Sequence, residues 1–344
     1  MKTAKTLKAS TEPKLCSTLI EILVHGRAHE SAGDLKFRKW LTEKLPSGTW
    51  LTTSASAFYV EVGDNPSVAF SCHIDTCDSP TTLSKKIVYD PFIGIISLDS
   101  EDKASCLGAD DGVGIWLMIN MIEANVPGGY LFHTGEECGG LGSRALMSKS
   151  PAFLGKFTRI IAFDRPHETE VITHQGGQRC ASDEFSTALC NALNQHGLDY
   201  SMSDRGVFTD TKVYRGAIAE CSNIGVGYDA QHSPNETLNY WHAIQLRDAC
   251  LNIDWHALPV KRDHTKPDPA PTTSLHPYTF QPAPNYVDYD SVDDDLDSMT
   301  LHEMEDWCAN DPEAAASAIV ELQAGVASLK AANELFRRVL GLDR

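Results

Sequence analysis

Four short apolar runs, 68–72, 130–133, 158–163 and 222–226, recur along this chain with helical patterns between them, and that alternation narrows the fold class most. The runs have strand length and are rich in β-branched and aromatic residues. Helical spacing appears at Leu15, Leu19, Ile20, Ile22 and Leu23, again at Leu35, Phe37, Trp40, Leu41 and Leu45, and a third time at Val113, Ile115, Trp116, Met118, Ile119 and Ile122. Further helices are expected around 183–195 and 242–258, with extended runs at 50–53, 58–62 and 93–98. Strands alternating with helices build an α/β fold, here a three-layer α/β/α sandwich around a mixed, mostly parallel sheet.

Metal-ligand side chains stand where these strands end or the next helix begins, which is where open α/β sheets place their chemistry. In order they are His73 in Ser71-Cys72-His73-Ile74-Asp75, Asp110 in Gly108-Ala109-Asp110-Asp111-Gly112, Glu137 beside Glu136, Asp164 after 160–163, and His232 in Gln231-His232-Ser233-Pro234. Each fragment alone has an ordinary reading: a strand-end pair, an N-cap for the 113 helix, a solvated Glu-Glu. Together they form the series that two neighbouring metal ions need, and the chain is expected to be a metal-dependent hydrolase.

The residue types suggest roles. Residues two apart on a strand face the same way, so Asp75 can orient the His73 imidazole while that imidazole binds metal. Two ions about 3.5–4 Å apart need a bridging carboxylate, for which Asp110 is the candidate. Adjacent side chains in a glycine-rich turn diverge, so Glu137 can bind metal while Glu136 serves as general base and then acid. Oxygen ligands with two histidines suit Zn²⁺, with Co²⁺ and Mn²⁺ as alternatives. The glycines at 108, 112 and 114 match neither the dinucleotide nor the P-loop pattern.

This series resembles the zinc-dependent exopeptidase superfamily with co-catalytic metals, over about residues 15–258. The resemblance implies that His73 and Asp164 hold one ion, Glu137 and His232 the other, and that Asp110 bridges them. It also implies a cis peptide between Asp110 and Asp111. Only 67 residues separate Asp164 from His232 and 36 separate His73 from Asp110, so no lid domain is expected, only a hairpin or flap around 87–98. The lidless form is similar to single-domain aminopeptidases, and His73-Ile74-Asp75-Thr76 and Leu107-Gly108-Ala109-Asp110-Asp111 look closest to the tripeptidase branch. Phe208-Thr209-Asp210-Thr211 is similar to a segment near the substrate pocket of some relatives, which makes Asp210 a candidate contact for a substrate amine.

Charge excludes other classes. With 29 basic and 47 acidic residues, a net −18, the chain lacks the basic surface that nucleic acid or an anionic membrane requires. Residues 1–10 have no apolar segment behind their lysines, and no stretch approaches 18 apolar residues, so neither a signal peptide nor a membrane span is expected. Ten scattered cysteines without C-x-x-C spacing fit free thiols in a reducing, cytoplasmic setting. Cys72 and Cys77 flank the His73 motif, but thiolate metal sites usually come as paired cysteines, so both are expected to be ordinary thiols.

The composition changes after Pro259. Residues 261–344 hold 16 Asp/Glu against 7 Lys/Arg, and six prolines fall within 261–284. The expected organisation is a catalytic domain over 1–260, a Pro-rich then acidic linker over 261–310 without regular structure, and an amphipathic C-terminal helix over 311–344 that serves as a helical appendage. That helix would bury its apolar face on the body, on another copy or on a protein partner. Three functions are carried forward: an aminopeptidase or small-peptide exopeptidase, an amidohydrolase of N-acyl amino acids, and a non-catalytic binding protein acting through the acidic tail.

Overall fold

The structure, a computed structural model, describes residues 16–52, 56–266 and 268. In chain order the elements are α1 (Ser17–Leu23), α2 (Ala32–Lys44), β1 (Thr49–Leu51), β2 (Ala57–Val62), β3 (Val68–His73), β4 (Ile87–Asp90), β5 (Ile95–Leu98) and α3 (Ala109–Glu123). They continue with β6 (Gly128–His133), α4 (Leu141–Lys149), α5 (Pro151–Leu154), β7 (Arg159–Arg165), β8 (Glu170–Ile172), β9 (His174–Gln175), β10 (Gln178–Arg179) and α6 (Asp183–Asn194). The last are β11 (Ser201–Ser203), α7 (Asp210–Val213), β12 (Glu220–Gly225), β13 (Tyr228–Asp229), β14 (Thr237–Asn239) and α8 (Tyr240–Cys250).

Eight strands form the main sheet in the order β1-β2-β6-β3-β7-β12-β8-β11. Its centre, β6-β3-β7-β12, is parallel, while β1, β2 and the β8–β12 pairing are antiparallel. The sheet is therefore mixed and mostly parallel, as expected. Buried side chains alternate between its two faces with the period of two that a pleated strand imposes. Phe70 and Cys72 of β3, Tyr130 and Phe132 of β6, and Ile161 and Phe163 of β7 enter the larger core, whereas Ala69, Leu131 and Ile160 enter the smaller one. Helices α1, α3, α6 and α8 contribute to the first core, and Leu146 of α4 and Leu154 of α5 to the second, which gives the three layers.

Helices α2, α6 and α8 start where short polar side chains satisfy free backbone N–H groups. Ser31 Oγ accepts from Asp34 N, Ser182 Oγ from Phe185 N, and the Asn239 side chain from His242 N. Helix α3 begins differently, on Gly108 in the left-handed region (φ 77), and that turn delivers Asp110.

Several expectations are adjusted. The 93–98 run begins pairing only at Ile95, because Gly94 turns the β4–β5 hairpin with φ 74. That hairpin is not a free flap: β5 pairs with β14, giving a second sheet in the order β13-β14-β5-β4. The 242–258 helix ends at Cys250 and is followed by a 3₁₀ turn over Trp255–Ala257. Strands β8 and β11, three residues each, had no periodic signature long enough to read. The 67 residues between Asp164 and His232 fold as β8–β13, α6 and α7.

The described start of the expected linker is fastened to the body. Lys261 and Arg262 donate their backbone N–H groups to Glu220 Oε1 at 2.7 and 2.9 Å, and the Arg262 guanidinium donates to Asp268 and to the carbonyls of Arg215 and Ala219. The rest of that segment and the expected helix over 311–344 lie outside the described residues. All nine described cysteines are free thiols, and no described helix is long and apolar enough to cross a membrane.

Candidate metal centre

The parallel strands β3, β6 and β7 deliver His73, the Glu136–Glu137 turn and Asp164 at their carboxyl ends. The loop into α3 adds Asp110, and the loop after β13 adds His232 in the left-handed conformation (φ 59). His73 Nε2 lies 2.9 Å from Asp110 Oδ1 and 3.6 Å from Asp164 Oδ1. His232 Nε2 lies 3.2 Å from the other Asp110 oxygen and 3.0 Å from Glu137 Oε2. Asp110 thus stands between two histidines, one oxygen toward each, and all five residues expected to ligate come together.

The surrounding residues fix this arrangement. Asp111 Oδ2 accepts the His73 backbone N–H at 3.2 Å and Oδ1 accepts that of Gly114 at 3.0 Å, so Asp111 caps the helix and ties it to β3. The peptide between Asp110 and Asp111 is cis, as the resemblance implies. Tyr228 donates to Asp164 Oδ1 at 3.2 Å, and the Asn223 side chain accepts from Asp164 N at 2.9 Å.

Asp75 acts differently from the expectation. Its backbone carbonyl, not its carboxylate, is the close partner of His73 Nδ1 at 2.9 Å; the carboxylate stands 4.0 Å away. The two carboxylate oxygens instead accept the N–H groups of Glu136 and Glu137, each at 3.2 Å. Asp75 therefore orients the imidazole through its main chain and the two glutamates through its side chain.

Asp210, expected near a substrate amine, is 1% exposed, with Oδ2 3.4 Å from His133 Nδ1. Burial pushes its pKa up to about 8. A substrate would reach it only if the surrounding side chains moved.

Two supporting residues carry no sequence pattern. Glu236 Oε2 and Oε1 accept the N–H groups of Gly108 and Asp110 at 2.8 and 2.9 Å. Arg27, fully buried, donates to the carbonyls of Ile74, Ile22 and Gly108 at 2.7–2.8 Å and so joins the His73 loop to the Asp110 loop. The hydrogen bonds of Arg27 all go to backbone carbonyls, which offer no charge pattern to read in a sequence. Glu236 follows His232 by four residues, which in a loop implies no shared face.

The electrostatics describe a site that gathers negative charge and holds it out of water. Burial raises Glu136 well above the carboxylate range and also raises Glu137 and Asp164. Burial would raise Asp110 too, but hydrogen bonds from His232 and His73 hold it well below that range. Burial works against a charge on His73, yet Asp164 and Asp110 raise its pKa strongly; His232 is raised by its bonds to Asp110, Cys77 and Glu137. The carboxylates around both histidines thus favour a positive charge at this point.

A divalent cation would meet the same requirement, and the donor set fits one. Trios of candidate ligand atoms, among them His73, Asp110 and Glu137, lie within 4.8 Å of one another. Glu137 Oε1 is buried without a hydrogen-bond partner. Two imidazoles and three carboxylates match the oxygen and nitrogen preferences of Zn²⁺ and its neighbours.

No family model matches the sequence, and no curated protein sequence matches it. Solved structures do share the fold. Aminopeptidase PepT from Bacillus cereus ATCC 10987 is 14% identical with a TM-score of 0.56, the match covering 68% of this chain and 95% of that one. A tripeptidase from Staphylococcus aureus subsp. aureus mu50 is 14% identical with a TM-score of 0.51, again covering 68% and 95%. The chain therefore shares its fold, helices around a mixed, mostly parallel sheet, with these two peptidases.

Proposed function

We propose that this chain is a metal-dependent exopeptidase that removes N-terminal residues from short peptides. The observation that carries the reading is the placement of Asp110 between His73 and His232, with Glu137 and Asp164 on either flank. His73 and Asp164 would hold one divalent ion, Glu137 and His232 the other, and Asp110 both. The fold shared with an aminopeptidase and a tripeptidase supports a peptide substrate.

When bound, the ions supply Lewis-acid polarisation of the scissile carbonyl and make water a competent nucleophile at neutral pH. Glu136 takes the proton from the attacking water and delivers it to the departing amine. Its burial suits both halves of that cycle, because a carboxyl with a raised pKa accepts a proton readily and holds it until the C–N bond breaks. Asp75 fixes the main chain of Glu136 and Glu137 together, so the base and one ligand keep a constant relation.

The reading is tested with paired substrates, amino-acid anilides and di- and tripeptides with free amines, alongside their N-acetylated forms. Release of the N-terminal residue from free-amine substrates alone is expected. Turnover confined to the blocked substrates would assign the chain to N-acyl amino-acid hydrolysis instead.

A further inference from the structure

Cys77 was expected to be an ordinary thiol, and its position argues otherwise. Its Sγ lies 3.0 Å from Glu137 Oε2, the same oxygen that lies 3.0 Å from His232 Nε2. Ligand atoms of Cys77, Glu137 and His232 all lie within 4.8 Å of one another. Donors around a tetrahedral Zn²⁺ with bonds of about 2.0–2.3 Å are separated by roughly 3.3–3.7 Å, so only small side-chain adjustments are needed. The Glu137 side chain is 7% exposed and its Oε1 has no partner, which independently marks this point as short of a cation.

The loop carrying the thiol is clamped on both sides. Before it, Asp75 holds the Glu136–Glu137 turn, and Thr76 N donates to the Arg27 carbonyl at 3.1 Å. After it, Asp78 pairs with Lys85 at 3.0 Å, both side chains fully buried, and accepts the N–H groups of Ser79 and Ser105. Cys77 is thereby presented to Glu137 and His232 by the fold.

We propose that Cys77 is a protein ligand of the second metal, which is then held by a thiolate, the His232 imidazole and the Glu137 and Asp110 carboxylates. The proposal rests on the two-metal reading above. Binding replaces the S–H proton with the metal and releases that proton to solvent; no electrons are transferred. A soft thiolate donor favours Zn²⁺ and Co²⁺ over Mn²⁺, so the two ions would differ in preference although they share Asp110.

Cobalt substitution separates this proposal from the reading beneath it. The metal-free full-length protein and its Cys77→Ser variant are titrated with Co²⁺ while near-ultraviolet and visible absorption and bound metal are recorded. The wild type is expected to take up two cobalt ions with a sulfur-to-cobalt charge-transfer band. In Cys77→Ser that band is lost, visible cobalt absorption remains, and one ion binds more weakly by at least the about 10–100-fold that outer-shell changes cost. Two bound ions without the band in the wild type, or a band that survives in Cys77→Ser, would overturn the role of Cys77 and leave the two-metal reading standing. Failure to bind cobalt stoichiometrically would remove both.

Discussion

Glu236 grips Asp110 by its backbone: Oε1 accepts the Asp110 N–H at 2.9 Å while Oε2 accepts that of Gly108 at 2.8 Å. The Asp110 carboxylate is thereby left for His73 and His232, and the loop bearing it is tied to a residue four positions beyond His232. Glu236→Ala would strand two buried N–H groups, at about 1–3 kcal/mol each. Metal affinity is expected to fall about 10–100-fold, the range for lost supporting contacts, with the fold retained. Competition against a coloured chelator measures this, and unchanged affinity would count against a positioning role.

Glu136→Gln keeps shape and removes the base. Turnover is expected to drop by about 10²–10⁴-fold or more with metal content unchanged, since Glu136 is assigned to proton transfer and not to ligation. Steady-state kinetics with metal analysis on the same sample decide it; a variant with full activity removes Glu136 from the mechanism.

Gly114 leaves room for Asp111. A Cβ built there would stand 2.3 Å from Asp111 Oδ1 and 2.6 Å from Oδ2. Gly114→Ala is therefore expected to push Asp111 off the His73 main chain and weaken metal binding, although alanine favours helix more than glycine. An isothermal titration matching the wild type would show that Asp111 does not govern the position of His73.

Asp210 makes the metal-free protein sensitive to pH. Burial raises its folded pKa from 3.8 to about 8, with the Ser143 hydrogen bond and the His73 charge acting in the opposite direction. A raised folded pKa gives stability that is complete below about pH 4 and is lost as pH climbs through about 8, with a slope of at most about 1.4 kcal/mol per unit. Asp210→Asn mimics the protonated form and should remove that slope. Urea midpoints of chelated wild type and variant at pH 5, 6.5 and 8 should diverge toward the alkaline end; parallel curves would contradict the shift.

Arg27 joins the His73 and Asp110 loops from below, and its loss should be felt in both. Arg27→Met removes the donor to the Ile74 carbonyl, which implies at least about 1–3 kcal/mol of destabilisation and weaker metal binding. Denaturant unfolding checks the first and chelator competition the second. Arg27→Lys should recover only part, since an ammonium cannot reproduce the guanidinium's fork of donors.

What could be read in the chain was what strand ends and local periodicity encode. His73, Asp164 and the Glu136–Glu137 turn follow apolar runs that are strands, and the sheet order brings those ends together. Glu236, Arg27 and Tyr228 escaped notice because each acts across the chain on a partner 47 to 128 residues away, without a local pattern. The second sheet was hidden for the same reason: Ile95–Leu98 pairs with Thr237–Asn239, and neither three- nor four-residue strand reveals its partner. Asp75 lies two residues beyond the end of β3, outside the strand alternation expected to align it with His73, and it is its carbonyl rather than its carboxylate that meets the imidazole.

The proposed reaction depends on two divalent ions held by these residues. The most direct test of that dependence is the metal content of the purified protein, with release of N-terminal residues from short peptides measured before chelation, after it, and after metal is restored. Two divalent ions per chain, with activity lost on chelation and recovered on reconstitution, is the predicted result. Peptide release that continues undiminished in fully metal-free protein would contradict it.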